Sequence, residues 1–368
     1  MEAKISNKGE YSFDIAKKED FAFIKKLVLL EYAEHPNASE EYLRWRYWDN
    51  PVFEAKIYIA RDNNGSIVGI QPVSKVRIAN CDSLPRFYLL TGAVVHPDHR
   101  RKKVFKKLID YIIYDLNCSP GYLLYTFPNE LSMKAFNRFE GWQKQEEFSI
   151  FIRPTSLISM LIHIIRRRSY SKQIIYNHTL RKPENYPCII KAGVNFIKND
   201  SFHAAVDLHR NGMINNYIHI ERSQQYLNWR YSNNPSYNYA IFTAQQSGSI
   251  VGYLIVHKRN LFGFKFSMVI DIIANEKWIA LELLKLAIRD AQGSGMELIA
   301  FMVGMANPFK SVLLKQWFIK IPRAFSRAFL HRAFCLYVNS DLNSIDKDRF
   351  LRRLNSQWYI NLGDTDVA

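Results

Sequence analysis

Nothing in these 368 residues offers a membrane-crossing run, since no stretch approaches the ~18 consecutive apolar residues such a helix needs. The opening MEAKISNKGEYSF lacks the apolar core of a secretory signal. Cysteine is scarce: Cys81, Cys118, Cys188 and Cys335 are scattered, with neither metal-ligand nor disulfide-framework spacing. That pattern predicts a reducing compartment, a cytoplasmic location and no metal centre. No base-stacking aromatic series or RNA-binding motif is present, which argues against a nucleic-acid partner. Negative charge is also short. Against 50 Lys and Arg stand 34 Asp and Glu, a net charge of +16. The surplus favours anionic partners such as nucleotides or anionic lipid, unless it only makes a solvated basic surface.

What is present centres on Thr91 to Leu108, TGAVVHPDHRRKKVFKKL. It predicts a strand from Phe87 to Val95, a break at His96-Pro97, a basic loop and an amphipathic helix. In that helix Val104, Leu108, Ile112 and Leu116 recur at helical spacing. A strand feeding a helix through a loop gathers free backbone N–H groups and the helix's positive end at one spot, a seat for phosphate. Arg100, Arg101, Lys102, Lys103, Lys106 and Lys107 surround that seat.

Before this segment, Tyr11 to Ile15 alternates like a strand, and Phe21, Ile24, Leu27 and Val28 line one face of a helix. Ser39 is placed to cap a second helix through Trp45-Arg46-Tyr47, which must stop near Asn50-Pro51. Lys56 to Ala60 and Ser66 to Val73 predict a hairpin through Asp62-Asn63-Asn64-Gly65. After the central helix come a strand (Gly121 to Thr126), a helix (Asn129 to Phe139) and a closing strand (Phe148 to Ile152).

The second half repeats the first. Tyr226-Leu227-Asn228-Trp229-Arg230-Tyr231 before Asn234-Pro235 mirrors Tyr42-Leu43-Arg44-Trp45-Arg46-Tyr47 before Asn50-Pro51, 184 residues on (226 − 42). Gly248-Ser249-Ile250-Val251-Gly252 copies Gly65-Ser66-Ile67-Val68-Gly69 in nearly the same register, 183 residues on (248 − 65). Phe266 to Ala274 is then a second central strand and Trp278 to Ala291 its helix. Between them only Asn275, Glu276 and Lys277 remain, too few for an Arg-rich turn. The second copy therefore lacks the anion seat. The expected organisation is one domain over 1–153, a linker over 154–186, and a second, degenerate domain over 187–368.

The order β-α-α-β-β-β-α-β-α-β, with Val95-His96-Pro97 followed by Arg100-Arg101-Lys102-Lys103-Val104-Phe105, resembles the GNAT superfamily of acyl-CoA-dependent N-acyltransferases. Its motif A runs V-x-P into (Q/R)-x-x-G-x-(G/A). Lys103 and Phe105 stand where that motif has small residues. The resemblance implies an α/β fold with a mixed sheet, here two tandem GNAT folds, and acetyl-CoA as acyl donor without a metal. It implies that the main chain of Val94 and Val95 pairs with the pantetheine arm. Arg100 and the amides from Arg101, Lys102, Lys103 and Val104 to Phe105 would meet the pyrophosphate. Asn129, with Ser132 and Phe136, resembles motif B, so Asn129 either contacts the cofactor or only caps its helix. Phe136 stands in the place of a tyrosine that commonly protonates the leaving thiolate. Gly92 would open the sheet by a bulge, or serve close packing.

As general base the sequence offers His96 and Asp271, the latter 179 residues after Gly92 (271 − 92) and inside an apolar strand, where it is either a proton-transfer group or a structural acid. Arg46 and Arg230 either clamp an anionic acceptor or brace packed aromatics. Ser156 to Ile165, running into Arg166-Arg167-Arg168, is either an interfacial helix making peripheral membrane contact through 156–168 or a packed connector. The tail from Gln357 to Asp366 predicts a last strand. Its Trp-plus-Gly-Asp ending is similar to tandem acetyltransferase-like proteins of bacterial surface-polysaccharide clusters. The expected activity is N-acetylation of a small amine, such as an amino sugar. The alternatives are an inactive binding or scaffold protein of the same fold, or a transferase using aminoacyl-tRNA or a long-chain acyl donor.

Overall fold

The computed structural model describes residues 10–33, 35–81, 86–118, 121–145, 148–156, 188–206, 213–261, 263–304, 306–322, 334–339 and 344–365. It divides into two units, Met1–Glu146 with Arg332–Leu351, and Glu147–His331 with Arg352–Ala368. Each unit holds one mixed sheet, so the class is α/β as predicted.

In the first unit the strand order is Tyr11–Ile15, Ala55–Asp62, Ile67–Val76, Arg86–Leu90, Tyr122–Thr126, Cys335–Asn339 and Trp142–Lys144. Arg86–Leu90 and Tyr122–Thr126 run parallel. The helix Val104–Leu116 joins them and buries Val104, Leu108, Ile109, Ile112 and Leu116 against the sheet. Burial of each such side chain is worth roughly 1.5–3 kcal/mol over exposure. In the second unit the order is Ile189–Lys191, Val194–Asn199, Tyr239–Gln246, Ser249–Leu261, Phe264–Ala274, Leu298–Val303, Ser149–Pro154 and Ile319–Lys320. Its helix Lys277–Gly293 buries Ile279, Ala280, Leu283, Leu284 and Ala287 among others.

Both units use the same local devices. Ser39 Oγ accepts the Tyr42 N–H at 3.1 Å, and Ser223 Oγ that of Tyr226 at 3.2 Å. Each capped turn runs into a π-helix, Arg44–Trp48 and Asn228–Ser232. The Asn50 side chain then accepts the N–H groups of Val52 and Phe53, as Asn234 accepts those of Ser236 and Tyr237. These bonds fold the chain back past the proline. A bulge falls at Ala60/Arg61 in one hairpin and at Ala244/Gln245 in the other, again 184 apart (244 − 60). A glycine under each main helix lets it lie close to the sheet. A Cβ on Gly69 would stand 3.0 Å from Val104 Cγ1, and one on Gly252 only 2.9 Å from Ile279 Cγ2.

Two expectations change, and a third lies outside the described residues. The strand expected to close the first domain lies at Ser149–Pro154 and pairs antiparallel with Leu298–Val303 in the second unit. Cys335–Asn339 closes the first sheet instead, antiparallel to Tyr122–Thr126. An alternating segment carries the pattern of a strand but not the address of its edge, and here the two units exchange their closing strands. The tail is helical over Ser344–Gln357, and Trp358 then makes a single parallel bridge to Ile218. Past it, reciprocal capping between Asn361 and Asp364 turns the chain into a 3₁₀ turn at Leu362–Asp364 rather than a strand. The helix expected over 156–168 lies, beyond Ser156, outside the described residues.

No helix among the described residues is long and apolar enough to cross a membrane. None of the four cysteines is joined in a disulfide. Gly252→Ala should force Ile279 and Ala274 apart, an overpacking cost of about 1–3 kcal/mol. Thermal unfolding of the full chain checks it, and an unchanged midpoint would contradict the close helix-on-sheet approach.

Candidate functional site

The central strand of the first unit breaks at Thr91-Gly92-Ala93. Val73 pairs with Leu90 on one side of the break and Ile70 with Val94 on the other, so three residues oppose two. Gly92 absorbs the extra residue at φ +59°, in the left-handed region that glycine enters freely. The buried Gln71 side chain fills the bulge, donating Nε2 to the Thr91 carbonyl at 3.0 Å and to that of Pro72 at 2.8 Å. Beyond it Val94–Val95 stays with Ile67–Val76, while parallel pairing with Tyr122–Thr126 ends at Leu90–Thr126. The two strands part there. The His96 N–H bonds the Val68 carbonyl at 2.8 Å. By antiparallel alternation Val95 therefore turns its own N–H and C=O away from that partner and into the opening. The Val95 carbonyl accepts Arg100 Nε at 3.2 Å.

A 3₁₀ turn, Pro97–His99, follows, braced by His96, whose Nδ1 accepts the Asp98 N–H at 3.3 Å. The loop then takes two left-handed residues, Arg101 at φ +64° and Lys103 at φ +63°. Each costs a non-glycine residue about 1–2 kcal/mol. Lys103 thus keeps the backbone shape of the glycine it replaces. It leads directly into Val104–Leu116, and no side chain caps that helix. The first N–H groups of the helix lack intrahelical partners and carry the positive end of its dipole. Left-handed residues before such an end help to turn successive N–H groups toward one concavity, suited to an anion.

The flanking charges are held to the sides. Arg100 bonds Glu31, Lys106 bonds Asp110 at 2.6 Å, and Lys107 lies 5.8 Å above the Tyr11 ring. Arg101, Lys102 and Lys103 are exposed around the turn. The group that this fold implies, an acyl-CoA with its pyrophosphate, fits such a cradle. Its holders would be the amides of Arg101 to Phe105 and the exposed cationic side chains.

Other expected site residues take different places. Phe136 is buried in an aromatic cluster, 5.5 Å from the Phe105 ring and 4.5 Å from that of Trp142. Phe105, where the motif has a small residue, turns its ring into that cluster instead of across the turn. Exposed Asn129 caps its helix, its Oδ1 accepting from the Ser132 N–H and Oγ at 2.9 Å each. Arg46 is buried rather than presented to a cleft. Its neighbour Tyr47, not singled out by the sequence, reaches the bulge: its hydroxyl lies 3.3 Å from Thr91 Oγ1 and 2.9 Å from a Cβ built on Gly92. A half-buried hydroxyl at the parting of the strands can give or take a proton. The repeated Trp-Arg-Tyr unit was the signal for it, and its third residue rather than its second is the one that reaches the bulge.

In the second unit the strands part as well, but the gap is filled. Phe264–Ala274 pairs in parallel with Leu298–Val303 only from Phe266 to Val269. Beyond that, the chain's own tail lies in the opening. Tyr359 donates its hydroxyl to the Ile272 carbonyl, and a Cβ on Gly304 would stand 2.9 Å from the Ile360 carbonyl oxygen. Asp271, fully buried at the place matching Gly92, accepts from Arg222 Nε at 3.1 Å, Tyr253 Oη at 2.9 Å, Tyr231 Oη at 3.2 Å and Asn361 Nδ2. Arg222 also bonds Asp364 at 2.6 Å. Burial works against the Arg222 charge, yet the two carboxylates outweigh it and hold that guanidinium well above its ordinary range. Arg230, expected as an acceptor clamp, spends Nε and one Nη on the carbonyls of Gly363 and Thr365. Asp271 and Arg230 are thereby enclosed with the tail and reach no open cleft.

Burial, and then the Asp271 carboxylate, push the Asp364 carboxyl up from 3.8 to about 6 against the pull of Arg222. A carboxyl raised in the folded state contributes stability at acid pH that is lost as pH rises from about 4 through 6. Urea unfolding of Asp364→Asn at pH 4.5 and 7 should show a smaller loss of stability on raising the pH than the parent chain shows. An equal or larger loss would contradict the raised carboxyl.

Comparison with known proteins agrees with this geometry. Residues 14–144 match the model of the acetyltransferase (GNAT) domain family. No curated protein matches the sequence. Among solved structures, a probable N-acyltransferase of Enterococcus faecalis superposes with TM-score 0.56 at 12% identity, over 89% of this chain and 72% of that one. A GCN5-related N-acetyltransferase of Anabaena variabilis gives 0.55 at 11% identity, over 89% and 72%. The N-myristoyltransferase of Saccharomyces cerevisiae, solved with bound myristoyl-CoA, gives 0.55 at 11% identity, over 98% and 92%. Residues 14–144 thus match a GNAT acetyltransferase domain, within a mixed α/β chain whose two sheets are consistent with two GNAT-like folds.

Proposed function

We propose that this chain is a two-copy GNAT-type N-acyltransferase in which the first unit alone takes acyl-CoA. The observation that carries the reading is the pair of left-handed residues, Arg101 and Lys103, before an uncapped helix at the end of a parted strand. Unliganded loops shed such strain unless the shape is needed, and it accumulates at binding sites. In this reading Val95 offers main-chain groups to the pantetheine arm, while Val94 keeps its own on the neighbouring strand at Ile70, and Arg101 to Phe105 hold the pyrophosphate. The inward N–H of Val95 is a donor for the acyl oxygen. The acyl donor supplies an activated thioester, and the chain's part is to align it with the attacking amine and exclude competing water. His96 and Asn129 brace the turn and the next helix. Asp271 and Arg230 anchor the tail, and Arg46 packs inside its unit.

Acetyl-CoA is the proposed donor and a small amine the acceptor, with an amino sugar as the finer choice because of the tail's resemblance to polysaccharide-cluster proteins. A cytoplasmic location fits the free thiols and the CoA supply.

Calorimetric titration of the full chain with acetyl-CoA should give one site per chain. A saturating 100-fold excess over Kd should stabilise the fold by about 2.7 kcal/mol. Arg101→Glu with Lys103→Glu should weaken binding at least about tenfold. No thermal shift at millimolar CoA would refute the reading, and two sites per chain would refute the filled second cleft. Lys103→Gly should raise stability by about 1 kcal/mol, by releasing the left-handed penalty, and retain binding. A variant less stable than the parent would contradict the strained turn.

A further inference from the structure

We infer that the second unit carries a peripheral docking surface for anionic membrane, formed by Lys310, Leu314, Lys315, Trp317, Ile319 and Lys320. The helix Lys310–Lys315 ends in a Schellman turn, with Phe318 N–H on the Leu313 carbonyl at 3.2 Å and Trp317 N–H on that of Leu314 at 3.1 Å. The residue at the turn must be left-handed, and glycine is the usual choice. Here it is Trp317, at φ +61° and 81% exposed. A bulky aromatic in that conformation is strained, and nothing of its ring is repaid by burial. Its neighbours Leu314 and Ile319 are 57% and 67% exposed. Ile319–Lys320 is the edge strand of its sheet, next to Ser149–Pro154.

Charge selects the occupant. Lys310, Lys315 and Lys320 are exposed too, Lys315 between these apolar tips in sequence and the other two flanking them. From Leu298 to Ser340 the sequence contains no Asp or Glu. Single apolar tips alternating with lysines suit the headgroup boundary of an anionic bilayer. Tryptophan settles there with its ring in the apolar layer, and the lysines meet lipid phosphate. A protein partner would instead be met by a contiguous apolar patch with a mixed polar rim. The inference is independent of the acyl-transfer reading, since none of these residues belongs to the proposed donor site.

Co-sedimentation of the full chain with vesicles tests it. The chain should bind phosphatidylcholine vesicles containing phosphatidylglycerol, release in high salt, and ignore phosphatidylcholine alone. Each Lys→Gln at Lys315 or Lys320 should weaken binding about fivefold. Trp317→Gly is the decisive variant. Glycine suits the turn, so this variant should be at least as stable as the parent and yet lose most vesicle binding. No binding to anionic vesicles, or equal binding by Trp317→Gly, would overturn the inference. It would also be overturned if the parent sediments as a concentration-dependent dimer that Trp317→Gly abolishes, because the surface would then join two copies of the chain.

Discussion

Where a central strand parts from its parallel neighbour, backbone N–H and C=O groups face a gap, and groups withheld from water need partners. Both units of this chain part at the same place, and they meet that requirement in different ways. In the first, one extra residue and a left-handed Gly92 swing Val94–Val95 away from Tyr122–Thr126. Arg100 takes one carbonyl, and the rest of the opening leads to a turn lined with amides. In the second, residues 358–365 enter the gap, and side chains rather than a ligand close it. One architecture thus yields a cradle in one unit and a self-filled core in the other.

The filling of the second gap explains why its polar residues are so deeply buried. One guanidinium, Arg222, sits between Asp271 and Asp364, and three tyrosine or asparagine side chains complete the Asp271 shell. Such a cluster is costly to desolvate, and it is tolerated because nearly every lone pair is met. Its role is to specify the docking of the tail. Removing one charge would strand the others. The tyrosine hydroxyls within it are pushed well above their ordinary range, by burial first and by Asp271 next, and act as hydrogen-bond donors.

Much of the first unit was legible in its residues. The apolar period of Val104, Leu108, Ile112 and Leu116 named the helix and its buried face, Ser39 and Asn50 marked a cap and a stop, and Gly92 marked the bulge. The repeated segments told that both units would use the same hairpin and the same capped helix, though not that each helix would run into a π-turn. Misread were the arginines of the Trp-Arg-Tyr units, which look like clamps in one dimension. Which way a side chain in a π-turn faces depends on what packs against it, and both arginines are buried, Arg230 on the carbonyls of Gly363 and Thr365. Asp271 gave equal signals for chemistry and for structure, because an isolated carboxylate in an apolar strand does not declare its partners.

By itself the sequence determined the local elements, the repeat, and the cationic turn after the central strand, since these follow from periodicity, capping and steric preference within a few residues. Only the tertiary structure decided which edge each closing strand joins, that Lys103 retains a glycine-like backbone, and that the tail enters the second gap. Those outcomes rest on contacts between residues far apart in the chain, such as Arg222 with Asp364, 142 positions on, and Tyr122 with Asn339, 217 positions on (339 − 122). Pairings at that distance are chosen by the packing of the whole unit, and no short window of sequence contains it.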